Sequence, residues 1–139
     1  MTIIDDIAAL LQEVDDEFVP SLSSRINVGQ YAEKIARKAT VFCIYDEGIL
    51  CAFASVYCND TEHKRAYLTM IAVGKRYQGK KIGVNLLKSS IQHLRGIGIS
   101  TLHLEVYKNN NRAIDLYKKV GFDIMDETEN SYFMRLQII

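Results

Sequence analysis

The stretch Met70-Ile71-Ala72-Val73-Gly74-Lys75-Arg76-Tyr77-Gln78-Gly79-Lys80-Lys81-Ile82-Gly83 sets a strand-like run ahead of a basic, glycine-bearing loop and a helix start. A helix start presents N–H groups without acceptors at the positive end of its dipole, which suits an anion. Gly79 and Gly83 let the backbone come close to a ligand, and Lys80 and Lys81 add positive charge. A phosphate or pyrophosphate is the natural occupant. Two named phosphate loops are excluded. The Walker pattern GxxxxGK[ST] fails because Gly79 and Gly83 are four apart and Val84 follows, and GxGxxG fails because Lys81 stands where a glycine is needed. The plain alternative is a solvent turn before an ordinary helix, and the loop alone does not separate the two.

The elements that must position this loop are legible from periodicity. Apolar residues at Ile7, Leu10, Leu11, Val14 and Phe18 predict a helix from Asp5 to Phe18, capped by Asp5 or Asp6 and stopped by Pro20. Phe18 to Arg25 reads as a loop, and a second helix runs from about Val28 to Lys38. Thr40 to Tyr45, the turn Asp46-Glu47-Gly48 and Ile49 to Cys58 read as a hairpin, and Ala66 to Val73 as a third strand. Ile82, Leu86, Leu87, Ile91 and Leu94 share one face of a helix from about Lys80 to Arg95. Then follow a strand from Thr101 to Tyr107, a helix from Arg112 to Val120, and a hairpin from about Asp123 to Ile138. Strands alternating with helices from Ala66 onward predict an α/β fold, a mixed sheet flanked by helices.

Composition bounds the function classes. The 139 residues fit a single domain, 1–139, and 48% hydrophobic content supports a real core. Seventeen basic residues balance seventeen acidic ones, which argues against a general binder of nucleic acid or anionic membrane. No apolar run approaches the ~18 residues of a membrane span. The acidic start Met1-Thr2-Ile3-Ile4-Asp5-Asp6 carries no basic leader region, so the expectation is a cytoplasmic protein. Cys43, Cys51 and Cys58 form an odd set without CxxC spacing. They read as buried free thiols rather than disulfides, and no metal is expected.

A second constellation gives the loop its context. Glu105 lies in Leu102-His103-Leu104-Glu105-Val106-Tyr107, followed by Lys108-Asn109-Asn110-Asn111-Arg112-Ala113-Ile114-Asp115-Leu116-Tyr117-Lys118-Lys119-Val120-Gly121-Phe122. Here the chain resembles the GNAT superfamily of acetyl-CoA-dependent N-acetyltransferases. The family's loop Gln/Arg-x-x-Gly-x-Gly/Ala matches Gln78 to Gly83 except at Lys81, where a first-turn helix conformation would tolerate a Cβ. Its Asn-x-x-Ala-x-x-Leu-Tyr-x-x-x-Gly-Phe run matches Asn110, Ala113, Leu116, Tyr117, Gly121 and Phe122. The similarity covers Ala66 to the C-terminus well and the hairpin before it more loosely. The family's usual first strand has no counterpart in the sequence. That leaves a sheet edge for a partner subunit, and a homodimer is the corresponding expectation.

The resemblance implies roles residue by residue. Ile71, Ala72 and Val73 would offer backbone groups to the pantetheine arm of acetyl-CoA and a donor to its thioester carbonyl. Such a donor stabilises a developing oxyanion by about 3 kcal/mol. Gln78, Gly79, Lys80, Lys81, Ile82, Gly83 and Val84 would hold the pyrophosphate, and Asn110 would hydrogen-bond the same molecule. Tyr117 would protonate the departing thiolate, since a phenol of pKa ~10 keeps its proton at pH 7; its plain reading is a core aromatic. Glu105 would take the proton of the attacking amine, against the reading of a solvent-facing carboxylate. His103 reads as a packed or surface histidine, and His63 as a solvent residue. The acceptor would bind between Phe18–Asn27 and about Met125–Tyr132, with Arg25 on an acidic group and Phe18 or Tyr132 as a wall; a solvated arginine and two anchors are the alternative. The expected function is acetyl transfer to a small-molecule primary amine, such as an amino sugar, amino acid or polyamine. A protein N-terminus or lysine is a second acceptor class. A non-catalytic CoA-binding module is the alternative of another kind.

Overall fold

Thr2, rather than Asp5 or Asp6, caps the first helix. Its hydroxyl accepts from the Asp5 N–H at 3.2 Å while the Asp5 carboxylate accepts from the Thr2 N–H at 3.3 Å. In the computed structural model, which describes residues 2–139, this helix α1 spans Ile3–Glu13 and ends short of Phe18. Asp15, Asp16 and Glu17 crowd negative charge onto the negative end of the helix dipole. Asp15 instead turns its carboxylate to Ser23, accepting from its N–H and its hydroxyl at 2.6 Å each. The three acidic residues form one 3-10 turn, Asp15–Glu17, and Leu22–Ser24 form another.

Helix α2 is Val28–Lys38, strand β1 Thr40–Asp46, β2 Ile49–Asp60 and β3 Arg65–Val73. Helix α3 is Ile82–Gly96, β4 Thr101–Tyr107, α4 Asn111–Val120, β5 Asp123–Glu127 and β6 Ser131–Gln137. The six strands form one mixed sheet in the order β1-β2-β3-β4-β6-β5, with β3 and β4 parallel and the other pairs antiparallel. Among the described residues no strand precedes β1, so β1 is an edge.

Alternation along β4 sorts the two faces. Leu102, Leu104 and Val106 point into a core with α3 and α4 that also takes Ala54, Val56, Leu68 and Met134. Burying leucines such as Leu102 and Leu104 stabilises the fold by roughly 2 kcal/mol each. On the other face α1 and α2 pack Ile7, Leu11, Ala32 and Ile35 against Phe53 and Ala72 of β2 and β3. Thr101, His103, Glu105 and Tyr107, on the outward side of β4, remain half-buried or exposed. The three cysteines are free; Cys51 is buried as expected, whereas Cys43 and Cys58 are only half-buried because they lie nearer the open edge and end of the sheet. Burial pushes each thiol up.

Candidate active site

The β3–β4 ladder is short. Arg65, Ala66 and Tyr67 pair with Thr101, Leu102 and His103, and beyond them the strands part. From Leu68 to Val73, β3 still bonds to β2, but no β4 residue meets its other edge. Thr69 is the extra residue of a bulge, since Ser55 pairs with Met70 while Val56 pairs with Leu68. The result is a gap in the sheet whose lips are the ends of β3, with Ile71, Ala72 and Val73, and of β4, with Glu105.

The loop between β3 and α3 closes one end of that gap. Its two left-handed residues are Gly79, at φ +78°, and Lys81, at φ +63°. Lys81 therefore does not sit in a first-turn helix conformation; it is the N-cap of α3, with left-handed backbone and no side-chain cap bond. An L-residue there costs ~1–2 kcal/mol. Lys81→Gly should consequently raise stability by up to about 1 kcal/mol, a Tm gain of about 3 °C on thermal melting.

Helices α1, α2 and α4 are each capped by a side chain, from Thr2, Asn27 and Asn110, whereas α3 is not. Its first helical bond runs from the Asn85 N–H to the Lys81 carbonyl at 3.0 Å, leaving the N–H groups of Ile82, Gly83 and Val84 available to an anion. Gly83 sits where α3 meets β3 and α4. A Cβ there would lie 3.5 Å from Val73 Cγ2 and 3.7 Å from Leu116 Cδ2, both ordinary contacts. Gly83→Asp should then fold, with Tm kept or raised because a carboxylate suits a helix start, yet lower acetyl-CoA affinity at least tenfold by calorimetry. Unchanged affinity in the folded variant would count against this loop as the phosphate site.

Gln78 is held in a network drawn from distant parts of the chain. Its Nε2 donates to the Val73 carbonyl at 2.9 Å and to the two Glu17 carboxylate oxygens at 2.9 and 3.0 Å. Arg112 donates to the Gln78 Oε1 and lies 3.7 Å from Glu17. Lys75 adds its N–H to Glu13 at 2.7 Å and its ammonium to Asp16 at 2.9 Å. Asn109 donates to the Val19 carbonyl at 3.0 Å. The acidic turn after α1 is thus strapped across the mouth of the gap, from the end of β3 to the start of α4. Lys80 lies exposed near Tyr77. Asn110 uses its Oδ1 to cap α4, accepting from the Ala113 N–H at 3.3 Å, which leaves its Nδ2 to donate elsewhere.

Tyr117 and Glu105 stand on opposite faces of β4. Tyr117 projects from α4 into the core, 5.6 Å from the Phe122 ring, and is 7% exposed. Burial pushes its phenol far above the ordinary tyrosine value. Its hydroxyl makes no hydrogen bond among the described residues. Among the described residues no fully buried side-chain oxygen or nitrogen is unpartnered, so that hydroxyl is not sealed from solvent. Glu105 is exposed on the outward face, and the phenol of Tyr67, at the last paired position of β3, is raised by burial and then by the Glu105 charge.

The acceptor residues expected from sequence separate in space. Arg25 lies on the outward face, its guanidinium 4.9 Å over the Tyr107 ring. Phe18 packs against the α1–α2 core. Tyr132 points to the α3–α4 side, with the Lys108 ammonium 5.2 Å over its ring. Sequence reasoning missed Tyr57, Tyr67, Phe133 and Arg135, which with His103 line a cavity of about 460 Å³ on the outward face. The signal was present as alternation, the polar and aromatic partners of a one-sided strand, but it is spread over β2, β3 and β6.

The sheet gap, the uncapped α3 and the paired motifs come together at one place, and the comparisons give the chain its family. The acetyltransferase (GNAT) family matches residues 5–122, and the chain belongs to that family. It is 35% identical over 92 residues to the spermine/spermidine N(1)-acetyltransferase of Bacillus subtilis strain 168, covering 62% of this chain and 60% of that protein. It is 36% identical over 91 residues to the ribosomal protein bS18-alanine N-acetyltransferase of Escherichia coli K12, covering 66% and 60%. The chain thus spans about 60% of the length of these relatives. The solved structure of the Escherichia coli ribosomal-protein-S18-alanine enzyme superposes with TM-score 0.76 at 26% identity, over 99% of this chain and 90% of that one. The PaiA N-acetyltransferase of Thermoplasma acidophilum, in complex with coenzyme A, superposes at 0.74 with 18% identity, over 98% and 95%.

Proposed function

We propose that this chain transfers the acetyl group of acetyl-CoA to the primary amine of a small metabolite, by direct attack in a ternary complex. The observation that supports this most is the placement of Glu105 and Tyr117 on opposite faces of β4 beside a gap in the sheet. Acetyl-CoA supplies an activated thioester. The free backbone edge at Ile71, Ala72 and Val73 holds the pantetheine arm, and the N–H groups of Ile82, Gly83 and Val84 hold the pyrophosphate. With the thioester lying through the gap, an amine reaches the carbonyl carbon from the Glu105 face and the thiol departs on the Tyr117 face. The new C–N bond forms as the C–S bond breaks. Glu105 accepts the ammonium proton and releases it to solvent, and the second N–H proton leaves through water as the amide forms. Tyr117 gives its proton to the thiolate and recovers one from solvent. A backbone N–H at the lip of β3 stabilises the carbonyl oxygen meanwhile. The coenzyme A bound by a fold neighbour fits this use of the gap.

The relative acting on bS18 favours a second reading, a protein N-terminus as acceptor. Purified protein with acetyl-CoA and a panel of amines and N-terminal peptides, followed by thiol release, separates the two. Tight acetyl-CoA binding with no acetylated amine would reduce the chain to a binding module.

A further inference from the structure

On the outward face, cross-strand partners form a row: Tyr57 with Tyr67, Tyr67 with His103, and His103 with Arg135. Glu105 and its partner Phe133 form the next row, about 7 Å along the strands. The first row and Phe133 line the cavity of about 460 Å³, and Arg65 borders it. Its walls are aromatic, and its charged lining is the guanidinium groups of Arg65 and Arg135 against the single carboxylate of Asp60, an excess of positive charge. Arg65 shares Asp60 at 3.5 Å, and Asp60 also serves His63. Arg135 faces Asp123 across β5, yet among the described residues no carboxylate lies within ion-pair distance of it. His103, whose Nε2 lies 3.0 Å from the Thr101 hydroxyl, is held below the ordinary histidine range by burial and then by Arg65 and Arg135. Both guanidinium groups are therefore felt in one spot. Such a site repels a polycation and attracts an anion.

We propose that this cavity is the acceptor site and that Arg135, with Arg65 beside it, selects an amine that also bears an anionic group, a carboxylate or a phosphate. The inference rests on the acetyltransferase reading and narrows its acceptor. The anion sits in the His103 row and the amine at Glu105, so a spacer separates the two groups and lies against Tyr67 and Phe133. An ω-amino acid fits this spacing, whereas spermidine offers only positive charge.

The test compares kcat/KM for five amines: an ω-amino acid and its primary amide, an aminoalkyl phosphate and its alcohol, and spermidine. Wild type should prefer the anionic member of at least one pair by tenfold or more, and the pair preferred tells carboxylate from phosphate. In Arg135→Gln that preference should shrink to about threefold or less, through KM, with Arg135→Lys keeping part of it. A wild type that uses spermidine or the neutral members as well, or a preference that survives Arg135→Gln, would overturn the proposal. The His103 ring resonances, assigned by their loss in His103→Gln, read the same site without turnover. Shifts on adding the ω-amino acid or the aminoalkyl phosphate, absent in Arg135→Gln, support the anion site even if no amine is acetylated. No shift and no anionic preference would reject it while leaving acetyl transfer itself intact.

Discussion

Tyr117→Phe should lower kcat by roughly 10²–10⁴-fold while leaving acetyl-CoA binding in place. The substitution removes only the hydroxyl and keeps the ring against Phe122, and that hydroxyl has no hydrogen-bond partner to orphan. Stability should barely move, so the kinetic effect is separable from folding. Burial keeps the phenol protonated across any practical assay range. The same apolar surroundings raise the basicity of a thiolate forming beside it, which offsets part of the mismatch between donor and acceptor. A variant with near wild-type kcat, in an assay where pre-steady-state data show chemistry to limit turnover, would leave Tyr117 as a core aromatic only.

Glu105→Gln should cut the rate at pH 7 by about 10²-fold and recover part of it at higher pH. The amide keeps the shape of the carboxylate but cannot accept the ammonium proton. An alkyl ammonium titrates near pKa ~10.4, so the fraction arriving as free amine rises about tenfold per pH unit below that value. The dependence of the variant on pH should therefore be steeper than that of wild type. Glu105 is exposed, and its loss should leave Tm within about 1 °C. Parallel pH profiles for the two proteins would pass the proton to solvent or to another group.

What could be read from the sequence follows from how local each feature is. Strand β4 and helix α2 match their expected limits because short-range alternation and a helical stripe fix them. Both acyltransferase motifs lie within 45 residues of chain, from Gln78 to Phe122, so their spacing was visible. Helix α1 ends early because Asp15 finds Ser23, a bond across eight residues that periodicity does not register. Lys81 misled for another reason: a glycine-pattern position reveals its left-handed φ only in three dimensions. The Glu17–Gln78–Arg112 network joins residues 61 and 34 positions apart, and the acceptor face gathers side chains from several strands. Such juxtapositions depend on strand order, which a single chain read locally does not give.

Among the described residues the β3–β4 ladder, which joins the β1-β2-β3 half of the sheet to the β4-β6-β5 half, is three residue pairs long. It is extended by the Ser100 N–H bond to the Lys64 carbonyl at 2.7 Å. The rest of that seam is spanned by packing of α3 on α4 and by polar bridges such as Asn109 to Val19. Beneath the sheet the two halves share one core, with Ala54, Val56 and Leu68 packed together with Leu102, Leu104 and Met134. The gap is therefore a break in backbone pairing over a continuous apolar layer. A molecule bonded to both lips fuses them. By mass action it adds RT ln(1 + [L]/Kd), about 2.7 kcal/mol at a hundredfold excess over Kd. An acyl donor lodged there would also serve as a missing strand, and its release would leave the backbone groups of both lips unpaired again.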